Sequence, residues 1–211
     1  MSKYGFHGNN LDINRLNTKR VTVQDKIPVE YVIPLTIEYG TGNILASVNW
    51  SAATTTQTKT NFKMQPPYPA QLSVTAMSAG TAGHNDKITF VGVNAWGSTV
   101  YDSVYVSGTA AGVSYTNNAY AKITSIYPTG KVVIKSDSVS IGVRSGVIGL
   151  PYPIASSADI FSFQKGGTFA TTTPITLTST TYRTVTIATT AAKVVKIMYK
   201  SKLQKDWGRQ Q

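Results

Sequence analysis

The sequence predicts an all-β protein: an antiparallel β-sandwich or barrel with an extended N-terminal arm and a basic C-terminal tail. Three observations predict it. Charged residues are 14% of the 211, well under the usual quarter, and Thr, Ser, Gly and Tyr replace them, as on sheet surfaces. From residue 70 onward, short runs of Val, Ile, Thr, Tyr and Phe recur between Gly, Asn and Pro turns. No segment carries a convincing apolar stripe at helical spacing. The length suffices for one sizeable core, or for two small ones sharing a linker.

Taken in order, residues 1–26 read as an arm. Asn, Lys, Arg and Gly dominate, only VTV at 21–23 is strand-like, and Tyr4 and Phe6 are apolar anchors for docking. IPVEYVIPLTIEYG, from residue 27, is the first good strand. Pro28 and Pro34 cannot donate to a ladder, which places it at an edge or on a bulge. NILASVNWS at 43–51 is a second strand, and the Thr-rich 51–60 reads as an exposed loop or a strand wet on both faces. MQPPYPAQ at 64–71 has three prolines in four positions, a rigid break where a boundary falls. Residues 27–65 are thus N-terminal strands and loop, 66–200 the main sandwich, and 201–211 the basic tail.

Within the main unit, QLSVTAM, KITFVGVNA, STVYDSVYVSG, NAYAKITSIYP, KVVIKSDSVSIGV, DIFSFQKGG, PITLTST, YRTVTIATT and AKVVKIMYKSK follow one another as strands. Period 2 is clearest at 99–107, with Val100, Asp102, Val104 and Val106 on one face and Tyr101, Ser103 and Tyr105 on the other. In 182–188, Val185 and Ile187 alternate with Thr184 and Thr186. Residues 120–134 and 182–196 echo each other, and both read as hairpins with a polar turn. The best helix candidate is KSKLQKDWGRQQ at the end, worth no more than a turn.

Chemistry is thinly supplied. There are nine carboxylates, two histidines and no Cys, so neither a disulfide framework nor a thiolate zinc site can form. His84 and Asp86 sit in GTAGHNDK, which reads as a solvated turn before it reads as half of a metal site. Glu30 and Glu38 can share a strand face. Eight residues separate them by roughly 26 Å, far beyond a glycosidase pair. TGKVV at 129–133 is no P-loop, and the Gly-rich GVRSGVIG at 142–149 has no following helix to make it a dinucleotide site. No enzyme activity, cofactor or metal is expected. The first residues lack an apolar signal core, and no run is long enough to span a bilayer.

Charge points to partners. Residues 1–26 carry a net +3, residues 27–160 a net +1, and residues 161–211 a net +7. Cationic ends on a near-neutral middle favour acidic partners. The candidate contact residues are Tyr4, Phe6, Arg15, Lys19 and Arg20 in the arm. In the tail they are Lys196, Lys200, Lys202, Lys205, Trp207 and Arg209. The tail can also touch DNA through phosphates, without sequence-specific reading. Trp96 and Tyr101 are the candidates for a glycan-stacking face.

ITFVGVNAWG at 88–97, DSVYVSG at 102–108, NAYAKITSIYP at 118–128 and GVRSGVIGLPYP at 142–153 come in an order that resembles β-rich virion proteins of tailed bacteriophages. The resemblance spans about residues 70–155. Asp102-Ser103-Val104 departs from the Glu-Thr-Ile expected there. It implies a non-enzymatic virion protein that decorates or cements the capsid, or a neck or tail component. Such a protein would be homo-oligomeric or lattice-bound. It would grip capsid or other virion proteins through its arms. A carbohydrate-binding sandwich for host attachment is the alternative.

Overall fold

The computed structural model describes residues 26–33, 40–49, 58–76, 85–107, 112–129, 138–169, 175–187 and 194–202. They form twelve strands: β1 (Lys26–Ile33), β2 (Gly40–Asn49), β3 (Ala70–Ala76), β4 (Asn85–Asn94), β5 (Thr99–Ser107), β6 (Val113–Thr129), β7 (Ser138–Gly149), β8 (Ile160–Lys165), β9 (Thr168–Phe169), β10 (Ile175–Ser179), β11 (Thr184–Ile187) and β12 (Val195–Lys202). Every pairing is antiparallel. A four-stranded sheet runs β1-β12-β8-β9. An eight-stranded sheet runs β10-β11-β7-β3-β6-β4-β5, with β2 also on β7. The two pack as an all-β sandwich around one continuous core. That core joins Ile33, Phe163, Ile197 and Tyr199 of the small sheet to Leu72, Phe90, Tyr120, Ile141 and Val185 of the large one.

The alternation expected in β5 is present. Asp102 and Val104 are buried, while Tyr101 and Tyr105 are 67% and 63% exposed. The β4–β5 hairpin turns at Asn94, whose side chain accepts the N–H groups of Trp96 and Ser98, with Gly97 in the left-handed region at φ 82°. Pro28 lies on β1, an edge strand, where its missing N–H costs no ladder bond.

Two expectations need correction. Residues 182–196 are not a hairpin, because β11 and β12 belong to different sheets; the second half of the expected 120–134 hairpin, residues 130–134, lies outside the described residues. Of the helix candidate 200–211, Lys200, Ser201 and Lys202 end β12 as strand, because they pair with Pro28, Ile27 and Lys26; residues 203–211 lie outside the described residues. The break expected in the Pro-rich 64–69 is present, since neither helix nor strand covers it, and it is packed: Pro66 and Tyr68 are buried, and the Pro69 carbonyl accepts the N–H of Gly149 at 2.8 Å. β1 and β2, on its N-terminal side, pair with β12 and β7.

Beside β3, both neighbouring strands bulge at one level. Gln71 and Ser73 face Ala119 and Tyr115, leaving Thr116–Asn118 looped out of β6. Ala70 and Leu72 face Ile148 and Val143, leaving Arg144 through Val147 of β7 bulged away from β3, with Gly146 at φ 69°. The sheet curls here, bringing the free edge of β5 against the first half of β6. Asp102 Oδ2 accepts the N–H groups of Asn117 at 2.5 Å and Asn118 at 2.8 Å, and Ser114 Oγ donates to the Tyr105 carbonyl. That covering satisfies an edge which would otherwise invite strand addition.

Candidate functional site

Of the predicted contact residues, Tyr4, Phe6, Arg15, Lys19 and Arg20 precede β1, and Lys205, Trp207 and Arg209 follow β12. All lie outside the described residues, as does His84. Lys196, Lys200 and Lys202 lie on β12. Val195, Ile197, Tyr199 and Ser201 of that strand point into the core, so Lys196 and Lys200 face outward. Lys196 Nζ meets Glu30 Oε1 of β1 at 2.8 Å. Lys200 has no carboxylate partner among the described residues and stands opposite Pro28. Lys26 and Lys202 are register partners, so the chain enters β1 and leaves β12 at one corner of the small sheet. Both cationic termini are tethered there.

The aromatic candidates separate. Trp96 is half-buried with the Arg183 guanidinium 3.9 Å over its ring, which occupies a face a sugar would need. Arg183 sits at φ 52° in the β10–β11 turn, and burial lowers its pKa. Tyr101 shares its exposed strand face with Tyr105 instead.

The structure adds a cleft of about 190 Å³ on the outer face of the large sheet. Gly40 and Thr41 of β2 form one wall, Val113 and Tyr115 of β6 the other, and Ser73 and Thr75 of β3 the floor, with Arg144 and Ser145 at one end. Register explains the convergence: Ser73 pairs with both Tyr115 and Gly142, and Thr75 with both Val113 and Ser140. The wall stands close because Gly142 has no side chain. An added Cβ there would land inside the Gly40 carbonyl oxygen.

Arg144 is held from two sides. Its Nη1 donates to Gln71 Oε1 at 2.6 Å, and its guanidinium lies 4.0 Å over the Tyr115 ring. Gln71 is itself fixed, donating to the Asn117 carbonyl at 2.8 Å and only 5% exposed. No carboxylate among the described residues pairs with Arg144. The buried Thr75 Oγ1 on the floor has no hydrogen-bond partner. These residues escaped sequence reading because they come from four strands. The one local signal was a single Arg inside the Gly- and Val-rich 142–149.

Comparison with known proteins adds no relative: no family model matches the chain, and neither a curated protein nor a solved structure matches it.

Proposed function

We propose that this chain is a non-enzymatic virion structural protein of a tailed phage, a capsid decoration or cement protein that holds neighbouring subunits through its two terminal segments. The observation carrying this reading is the pairing of Lys26 with Lys202. Residues 1–26 and 200–211 together hold nine basic side chains against three acidic ones, all joined to one corner of the small sheet. Two short segments rooted at one point act on a repeated acidic surface as a bidentate grip, because the second contact is nearly intramolecular. The β-rich frame supplies a rigid base, and the sequence resemblance over about 70–155 supports the virion setting. A neck or tail ring would use the same grip.

The test is occupancy of purified particles by the full chain and by chains lacking residues 1–20, residues 203–211, or both. Each single deletion is expected to keep the thermal unfolding midpoint and to cut occupancy at least tenfold. Residual binding should weaken further with salt. A doubly truncated chain that fills particles to the normal level sinks the proposal.

A further inference from the structure

We propose that the cleft between β2, β3, β6 and β7 binds one carboxylated sugar unit, of the hexuronate class, with Arg144 as its carboxylate clamp. The size fits a single ring. About 190 Å³ is below the roughly 300–1,000 Å³ of sites for drug-sized ligands.

The charge fits a carboxylate. A guanidinium has five N–H donors in a planar fork, and Gln71 uses one of them. The rest can bind a carboxylate in parallel, and stacking on Tyr115 fixes the plane of the fork. A phosphate dianion would meet one cation only.

The remaining lining selects a polyol over an acidic peptide side chain. Thr41, Ser73, Thr75, Tyr115 and Ser145 all carry hydroxyls, and each both donates and accepts, as a sugar's hydroxyls require. Val113, 50% exposed, offers methyl groups to the ring's C–H face. Thr75 Oγ1 is the sharpest indicator, a buried oxygen on the floor with no partner in the protein. The cleft is on the large sheet, whereas β1 and β12 belong to the small one. The terminal grip and the sugar site are therefore separable proposals.

The experiment is calorimetric titration of the full-length chain with glucuronate and galacturonate, against glucose, galactose, acetate and inorganic phosphate. The uronates should bind, and the neutral hexoses, acetate and phosphate should each bind at least ~10-fold more weakly, about 1.4 kcal/mol. Arg144→Gln and Arg144→Lys should each cost about 10-fold or more, the lysine because it lacks the fork. Thr75→Val is the decisive variant. It should weaken uronate binding while leaving the unfolding midpoint unchanged or higher, because it removes a polar atom with no internal partner. Tyr105→Ala, outside the cleft, should change nothing. The proposal is overturned if neither uronate binds at tens of millimolar. Neutral hexoses, acetate or phosphate binding as well as the uronates would also overturn it, and so would full affinity in Arg144→Gln or Thr75→Val.

Discussion

Replacing Gly142 with Ala adds one methyl group at the closest backbone approach among the described glycines. The new Cβ would lie within the Gly40 carbonyl oxygen, 2.8 Å from the Gly40 carbonyl carbon and 3.0 Å from Asn43 Oδ1. Neither backbone can yield alone, because β7 is fixed by β3 on its other side. The start of β2 must therefore retreat by about the difference between a clash and ordinary contact. That breaks the 3.0 Å bond from the Val143 N–H to Asn43 Oδ1, worth about 1 kcal/mol or more once left unmade. It also loosens Ile44, which is 0% exposed, and partial re-exposure of such a side chain costs roughly 1–2 kcal/mol. Against this, Ala in a strand regains roughly 0.5–1 kcal/mol over Gly. The clash wins, and Gly142→Ala should lose about 1–2.5 kcal/mol in urea denaturation. Gly97→Ala, with φ 82° but open space around its Cβ, should lose only about 1 kcal/mol of conformational strain. Because Gly40 is a wall of the cleft, uronate affinity should fall in Gly142→Ala and persist in Gly97→Ala. A Gly142→Ala protein within about 0.5 kcal/mol of the parent would refute the close approach of β2 to β7.

Asp102→Ala should cost about 2–4 kcal/mol, since the N–H groups of Asn117 and the buried Asn118 lose the acceptor that buried Asp102 gives them. Amide exchange at those two positions should accelerate, and a loss no larger than that of Tyr101→Ala would count against the bulge clamp. Alkali should unfold the protein early. Burial pushes the Tyr31 phenol up to about 12, and burial pushes Tyr120 and Tyr199 above their ordinary value as well. An unfolded chain releases these protons near pH 10, while the folded one keeps them. Stability is therefore intact below about pH 10 and falls as pH rises toward the folded values, by up to ~1.4 kcal/mol per pH unit per retained proton. Urea midpoints between about pH 9 and pH 11.5 read this directly, and a flat profile would contradict burial of the three rings.

Much of the sheet content was legible because period 2 is local. Residues 99–107 place Tyr101 and Tyr105 outside and Val104 inside by alternation alone, and the structure agrees. The edge position of β1 was legible for the same kind of reason, since Pro28 lacks a donor wherever the strand sits. Partner choice was not. Nothing local says that β3 slips between β6 and β7, or that β11 and β12 part into different sheets, because those pairings are set by burial of distant side chains. Proline at 64–69 read correctly as a break in helix and ladder; its burial was not legible, because it depends on Tyr68 supplying the apolar surface. The cleft was illegible because each of four strands contributes only two or three of its residues. Its floor depends on two bulges whose level is fixed by register.

A low charge count makes each charge easier to interpret. Three acidic side chains are engaged by the fold: Glu30 by Lys196, Asp102 by the β6 bulge, and Asp159, 4% exposed, by the N–H of Ser156 at the head of a 3₁₀ turn. Described cations such as Arg144 and Lys200 have no such counterpart. With those three anions engaged, the unpaired cations set the local field around them, little screened at short range. The same imbalance operates in two forms. At the corner where Lys26 meets Lys202, charge gathers on terminal segments suited to an extended acidic surface. At Arg144 a single charge is held rigidly among hydroxyls, suited to one small anion. Salt should therefore separate them, because the multi-charge terminal contact falls steeply with ionic strength while the single fork in a confined cleft responds weakly.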